Sequence, residues 1–200
     1  YDENSFKSNE KLETLIIQPN IGLVEKRDFA KNQSNMKSLI DSTLKNISTS
    51  TKLVVWPESA MPYQSIQNRG VRNFLNKNLF IENLNLLTGN IIYTDSDYFN
   101  SSVLINKQGI LGIYNKRQLV PLAEHFPFSS IFKSLRNINI GQANFSKGDK
   151  DYVFELDGYR FASLICIEST FPEINRRHAN LDIDALIYLV NDGWYLNCLL

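Results

Sequence analysis

Strand-sized apolar runs recur along the whole chain, stopped by proline, asparagine or glycine, and stretches of helical period lie between some of them. Residues 12–18 form the first run, ended by Pro19 and Asn20. Over residues 29–47, Phe29, Met36, Leu39, Ile40, Leu44 and Ile47 recur at spacings of three, four and seven, which predicts an amphipathic helix. Residues 52–56 read as a buried strand closed by Pro57 and Glu58, 71–79 as a second helix, and 86–93 as a strand with Gly89 inside it. Two hairpins follow. Residues 98–105 and 110–115 flank Asn106-Lys107-Gln108-Gly109; residues 152–156 and 159–165 flank Asp157-Gly158, a strong two-residue turn signal. A short helix over 173–179 and a last buried strand over 185–190 complete the pattern. Alternation early and hairpins late predict an α/β layered fold with a mixed sheet or two packed sheets. The length suits one domain, with residues 1–11 as an arm or linker and 12–200 as the domain.

Charge and cysteine content narrow the function. Lys+Arg and Asp+Glu balance at 21 each, so the formal net charge is zero and no basic stripe speaks for nucleic acid. Cys166 and Cys198 make neither a disulfide framework nor a zinc site, and His125 and His178 do not make a histidine metal site. No apolar run approaches the roughly 18–20 residues that span a bilayer, and there is no signal peptide. A first residue Tyr1 rather than Met reads as a piece of something longer. Residues 117–150, holding Pro121, Pro127, Gly141 and Gly148, lack periodicity, as functional loops often do.

Three strands end on residues with chemistry. Trp56-Pro57-Glu58 closes one, Tyr114-Asn115-Lys116 another, and Cys166 a third. Strand ends in layered α/β folds gather at one sheet edge, where sites form. A glutamate there can take a thiol proton, a lysine can lower the thiol pKa and stabilise an oxyanion, and a thiolate can attack a carbonyl. Ser169 to Glu173 reads as a helix start with Thr170 as its cap and Pro172 in the first turn, which would set Cys166 at a helix N-terminus that favours thiolate. Taken singly, each residue has a plain structural reading: a packed cysteine, a glutamate ending a strand, a solvated lysine. Together they predict a thiol acyl-transfer site. His178, beside Arg176 and Arg177, reads as a surface helix residue.

Trp-Pro-Glu after a buried strand, Tyr-x-Lys-x-x-Leu-Val-Pro-x-x-Glu, and Cys-x-Glu followed by Phe-Pro-Glu resemble the carbon–nitrogen hydrolase (nitrilase) superfamily. Within it, Trp56-Pro57-Glu58-Ser59-Ala60, the run from Tyr114 to Pro121, Cys166-Ile167-Glu168, Asn191-Asp192-Gly193-Trp194-Tyr195 and Gln18-Pro19-Asn20 are most similar to the catalytic domain of the apolipoprotein N-acyltransferases. The resemblance implies an αββα four-layer sandwich, incomplete at the C-terminus, and a Glu-Lys-Cys triad. Glu58 would be the general base, Lys116 the oxyanion-stabilising cation and Cys166 the nucleophile. Glu124 matches a supporting glutamate, Glu168 the acidic position after the nucleophile, and Trp194 and Tyr195 an aromatic loop near the acyl chain or site mouth. The Ile167 backbone N–H would be a second oxyanion donor. Two positions depart from the family: Ile167 stands where tyrosine is common, and Leu122-Ala123 replaces Phe-Gly.

The resemblance further implies a phospholipid acyl donor, an apolipoprotein acceptor and a thioester intermediate. It needs no cofactor or metal. The setting it implies is the bacterial inner membrane, reached through segments missing from this chain, with the catalytic domain on the periplasmic side. Two alternatives stay open at the level of sequence: a soluble, cytoplasmic nitrilase-like amidase, and an inactive fragment or interaction module.

Overall fold

The computed structural model describes residues 11–20, 32–61, 65–80, 83–121, 124 and 145–191. Eight strands and three helices follow one another as β1 (Thr14–Ile16), α1 (Asn32–Asn46), β2 (Leu53–Val55), α2 (Arg69–Asn78), β3 (Asn85–Tyr93), β4 (Tyr98–Asn106), β5 (Gly109–Asn115), β6 (Phe154–Leu156), β7 (Tyr159–Ile165), α3 (Pro172–Ala179) and β8 (Ala185–Leu189). Strands β1 to β5 make one sheet in chain order, and β6, β7 and β8 make a second. The first sheet is parallel from β1 to β3 and antiparallel from β3 to β5. In the second, β6 runs antiparallel to β7 and β8 parallel to it.

The period-two alternation of the strands separates two cores. Val54 and Leu86 face α1 and α2, packing with Met36, Leu39, Ile40, Leu75 and Leu79. Their neighbours Leu53, Val55 and Leu87 face the other way, against Phe154, Phe161, Leu164 and Ile165 of the second sheet. Ile174 of α3 joins this inner core, and the Tyr188 hydroxyl of β8 donates to Asn175 of the same helix. Helices, sheet, sheet and helix thus form the expected αββα sandwich. Strand β8 departs from its predicted burial: Tyr188 is 43% exposed and only Leu189 is fully covered.

Local chemistry explains the boundaries. Asn68 caps α2 by accepting from the Gly70 N–H at 2.7 Å. The β6–β7 turn places Asp157 and Gly158 at φ 50° and 84°, the two left-handed positions of a tight hairpin. Trp56, fully buried, donates its indole N–H to Thr43 Oγ1 at 3.0 Å, and Thr43 in turn donates to the Leu39 carbonyl at 2.8 Å. The tryptophan of the Trp-Pro-Glu motif therefore pins the end of β2 to α1. Among the described residues, no helix is long and apolar enough to cross a membrane. Residues 1–10, read as an arm, lie outside the described residues, as do 192–200.

Candidate active site

The sheet directions put the C-terminal ends of β2, β3 and β5 at one edge, together with the N-terminal end of the antiparallel β4. Glu58 follows β2, Lys116 follows β5, and Cys166 follows β7 from the facing sheet. Lys116 is fully buried and lies 3.6 Å from Glu58 Oε1. It is held more closely by Glu124, donating to Oε1 at 2.9 Å and Oε2 at 2.8 Å. Asn100, at the start of β4, donates from Nδ2 to both carboxylates: 2.9 Å to Glu58 Oε1 and 3.0 Å to Glu124 Oε1. The Val120 N–H donates to Glu124 Oε2 at 2.9 Å. The backbone of Lys116 is fixed at both poles, its N–H donating to Asn100 O and its carbonyl accepting from Gly148 N–H.

Glu58 needs a close approach to its strand neighbour. A Cβ on Gly89 would stand 2.6 Å from Glu58 Cα and 2.7 Å from the Ser59 amide nitrogen. Only glycine lets β3 pass so near this carboxylate residue. Gly89→Ala is expected to cost about 1–3 kcal/mol of stability through overpacking and to lower acylation of Cys166 at least tenfold by displacing the carboxylate. Thermal unfolding and a single-turnover assay check this; an alanine that changes neither would show that the loop has slack.

The thiol sits in a strained turn. Cys166 has φ 51°, a left-handed conformation that costs a non-glycine residue ~1–2 kcal/mol, and opens a 3₁₀ turn over Cys166–Thr170. Helix α3 begins only at Pro172, with Phe171 as its cap residue and no side-chain cap bond. Thr170, expected as the cap, instead donates to the Ile167 carbonyl. The cysteine is thus separated by this turn from the helix N-terminus expected to favour its thiolate. Burial, followed by the negative charge of Glu58, pushes the Cys166 thiol up to about 11, against the opposing pull of Lys116 and the Ile167 N–H.

Glu58 responds to the same surroundings. Burial raises its carboxyl above the usual range, against Lys116, the Asn100 amide and its hydrogen bond with the Cys166 thiol. Burial works against the Lys116 ammonium, but Glu58 and Glu124 outweigh it and raise its pKa. A thiol under the influence of a buried carboxylate and a neighbouring lysine is an arrangement for proton transfer followed by nucleophilic attack.

Glu168 has a different position from the other acids. Fully buried, it takes the Tyr114 hydroxyl at 2.8 Å and the Arg117 N–H at 2.7 Å on Oε1, with the Gln118 N–H there too at 3.0 Å. Its Oε2 takes the Ile165 N–H at 2.9 Å. One carboxylate therefore ties the residues just after Lys116 to the residue just before Cys166. Burial and then Glu168 raise the Tyr114 hydroxyl pKa, keeping it a donor.

The structure thus gathers Glu58, Lys116, Cys166 and Glu124, and places Glu168 behind the turn, with the Ile167 N–H among the influences that lower the thiol pKa. Trp194 and Tyr195, like Leu122, Ala123 and His125, fall outside the described residues. Asn100 and the Tyr114 hydroxyl were not singled out from sequence; a polar Asn100-Ser101-Ser102 run inside a strand was the available signal. His178 is not on the surface. It is fully buried, donates from Nδ1 to the Ile174 carbonyl at 2.9 Å, and stands edge-on to the Tyr114 ring.

Comparison with known proteins agrees with the fold. The carbon-nitrogen hydrolase family model matches residues 16–200. The apolipoprotein N-acyltransferase of Wigglesworthia glossinidia brevipalpis is 27% identical over 98% of this chain and 41% of its own length. That of Shewanella oneidensis is 29% identical over 72% of this chain and 30% of its own. The chain thus spans about two fifths or less of these relatives. Among solved structures, a carbon-nitrogen hydrolase from Helicobacter pylori superposes with TM-score 0.59 at 17% identity, covering 90% of this chain and 59% of that one. An amidase from Nesterenkonia gives TM-score 0.59 at 17% identity, covering 84% and 64%.

Proposed function

The chain belongs to the carbon–nitrogen hydrolase family, and from that premise we propose that it carries the acyl-transfer site of an apolipoprotein N-acyltransferase. The observation that carries the chemistry is a buried Glu58 carboxylate 3.6 Å from the buried Lys116 ammonium, with both charges acting on the Cys166 thiol. The substrate class is supported by the names of relatives aligned over most of the chain. The acyl donor is a phospholipid, the acceptor the α-amine of an N-terminal cysteine on an apolipoprotein, and the setting a bacterial membrane.

Glu58 takes the thiol proton as Sγ attacks the donor ester carbonyl. The Lys116 ammonium and the Ile167 N–H hold the resulting oxyanion. When the tetrahedral adduct collapses, the ester C–O bond breaks and Glu58 returns the proton to the departing lysophospholipid oxygen. A Cys166 thioester remains. The acceptor amine then attacks it, Glu58 takes a proton from the nitrogen, and the Cys166 sulfur leaves and is protonated again as the amide forms. Asn100 and Glu124 keep Glu58 and Lys116 apart from direct hydrogen bonding, so each keeps its own task. Trp194 and Tyr195 are the candidates for recognising the acyl chain.

Transfer to an acceptor is the decisive assay. Given a phospholipid and a lipid-modified peptide with a free N-terminal cysteine, the full-length protein is expected to form the N-acyl peptide and lysophospholipid with ping-pong kinetics. Release of free fatty acid with no acylated peptide, or turnover of small amides instead, would favour a hydrolase. Lys116→Met removes the cation that faces the buried Glu58 and the part-buried Glu124. Breaking such a pair costs about 3–5 kcal/mol, and the thiol pKa is expected to rise beyond its present value. Cys166 acylation should become undetectable in a single turnover; an unchanged rate would remove the lysine from the mechanism.

A further inference from the structure

Arg117, one residue past Lys116, turns away from the catalytic pair into a separate cleft of about 770 Å³. Lys147, Arg176 and Arg177 line it as well, with Glu173 as its acidic residue and Phe171 and Ile174 as an apolar wall. Four cations around one cleft stand out in a chain of zero net charge. They are also organised. Asp151 accepts from Arg117 Nη1 and, at 2.9 Å, from Arg177 Nε, while His178 Nε2 lies 3.3 Å from its Oδ1. Each guanidinium is held by Asp151 through one edge, and its other N–H groups have no side-chain acceptor among the described residues. Fixed forks of this kind match the oxygens of phosphate in a bidentate manner. Lys147 and Arg176 have no ion-pair partner among the described residues, so their charge is available to a ligand.

We propose that this cleft is a phosphate subsite that takes the headgroup phosphodiester of the acyl donor. The assignment rests on the acyltransferase reading for its ligand, although the cleft lies outside the Glu58–Lys116–Cys166 cluster. The chain connects the two places. Phe171 follows the nucleophile by five residues, and Glu168 fastens the Arg117 backbone to the turn that carries Cys166. A phosphate held by Arg117 and Arg177 would leave the glycerol and acyl parts against Phe171, directed towards the nucleophile turn. The cleft is larger than a bare phosphate needs and within the range of small-molecule sites.

Titration of the full chain followed through arginine side-chain N–H resonances tests this. Inorganic phosphate, glycerophosphoethanolamine and dihexanoyl phosphatidylethanolamine should all shift the Arg117 and Arg177 signals, the phospholipid at the lowest concentration. Arg177→Gln should weaken phospholipid binding on the order of tenfold, and raise KM for the phospholipid donor with kcat little changed. Acylation of Cys166 by phosphate-free p-nitrophenyl octanoate should be the same in both proteins. Equal affinity for inorganic phosphate and phospholipid would overturn the headgroup assignment in favour of a free anion. No arginine shift with any phosphate compound, or shifts undiminished by Arg177→Gln, would overturn the subsite itself. If the phosphate-free ester fails to label Cys166, the acyl-transfer reading falls, while the titration still decides the cleft.

Discussion

Replacing Glu58 with glutamine is expected to slow acylation of Cys166 by ~10²- to 10⁴-fold, the usual worth of a positioned general base, and at the same time to lower the thiol pKa. The two effects have one origin. Glu58 takes the thiol proton during attack, yet at rest its negative charge is, after burial, the main influence pushing the thiol up to about 11. Glutamine removes base and charge together. The fold should survive, because Lys116 keeps its two contacts with Glu124 at 2.8 and 2.9 Å. Thiolate absorbance against pH reads one effect and single-turnover acylation the other. Lys116→Met should move the thiol pKa in the opposite direction while also suppressing acylation. A glutamine variant whose thiol titrates higher than the parent would contradict the electrostatic account. The parent's pH profile follows from the same group: Glu58 must be ionised to act, and burial raises its pKa above the ordinary carboxylate range. Activity should therefore fall away on acidification at a higher pH than an ordinary carboxylate would set.

Glu168→Ala should be the most destabilising of the changes considered, by about 3–5 kcal/mol. Alanine would strand the Tyr114 hydroxyl and the N–H groups of Ile165, Arg117 and Gln118, all of which now donate to one fully buried carboxylate. Activity should fall with stability, because the same bonds set Lys116 and Cys166 relative to one another. Glu168→Gln separates the two consequences. It keeps the volume and one acceptor but turns an amide N–H₂ towards existing donors, so chemical denaturation should show a smaller loss than for alanine, with acylation still reduced at least tenfold. Full activity in the glutamine variant would mean that the clamp serves stability alone.

How far these features were legible depended on whether they were local. Leu53-Val54-Val55 and the run ending at Ile165 are apolar segments with definite stops, so strand ends carrying Glu58 and Cys166 could be read directly. Asp157-Gly158 announced its hairpin because two successive left-handed residues are a local requirement. Asn100 could not be read in this way. It reaches the site because β4 runs antiparallel to β3, which brings the start of β4 to the edge where β2 and β5 end. A strand–helix junction suggests a dipole acting on Cys166, whereas the structure sets a 3₁₀ turn between Cys166 and the helix, and burial pushes the thiol up. His178 was misplaced by its charged neighbours. Ile174 and His178 are four residues apart on one helix face, and that face is the buried one.

The central claim is that Cys166 carries the acyl group. Intact-mass and peptide mass spectrometry of the full-length protein, quenched after mixing with phospholipid and no acceptor, test it most directly. The account predicts one acyl adduct on the peptide containing Cys166, removed by hydroxylamine and absent from Cys166→Ala. An adduct that persists in Cys166→Ala, or that maps to another residue, would contradict it.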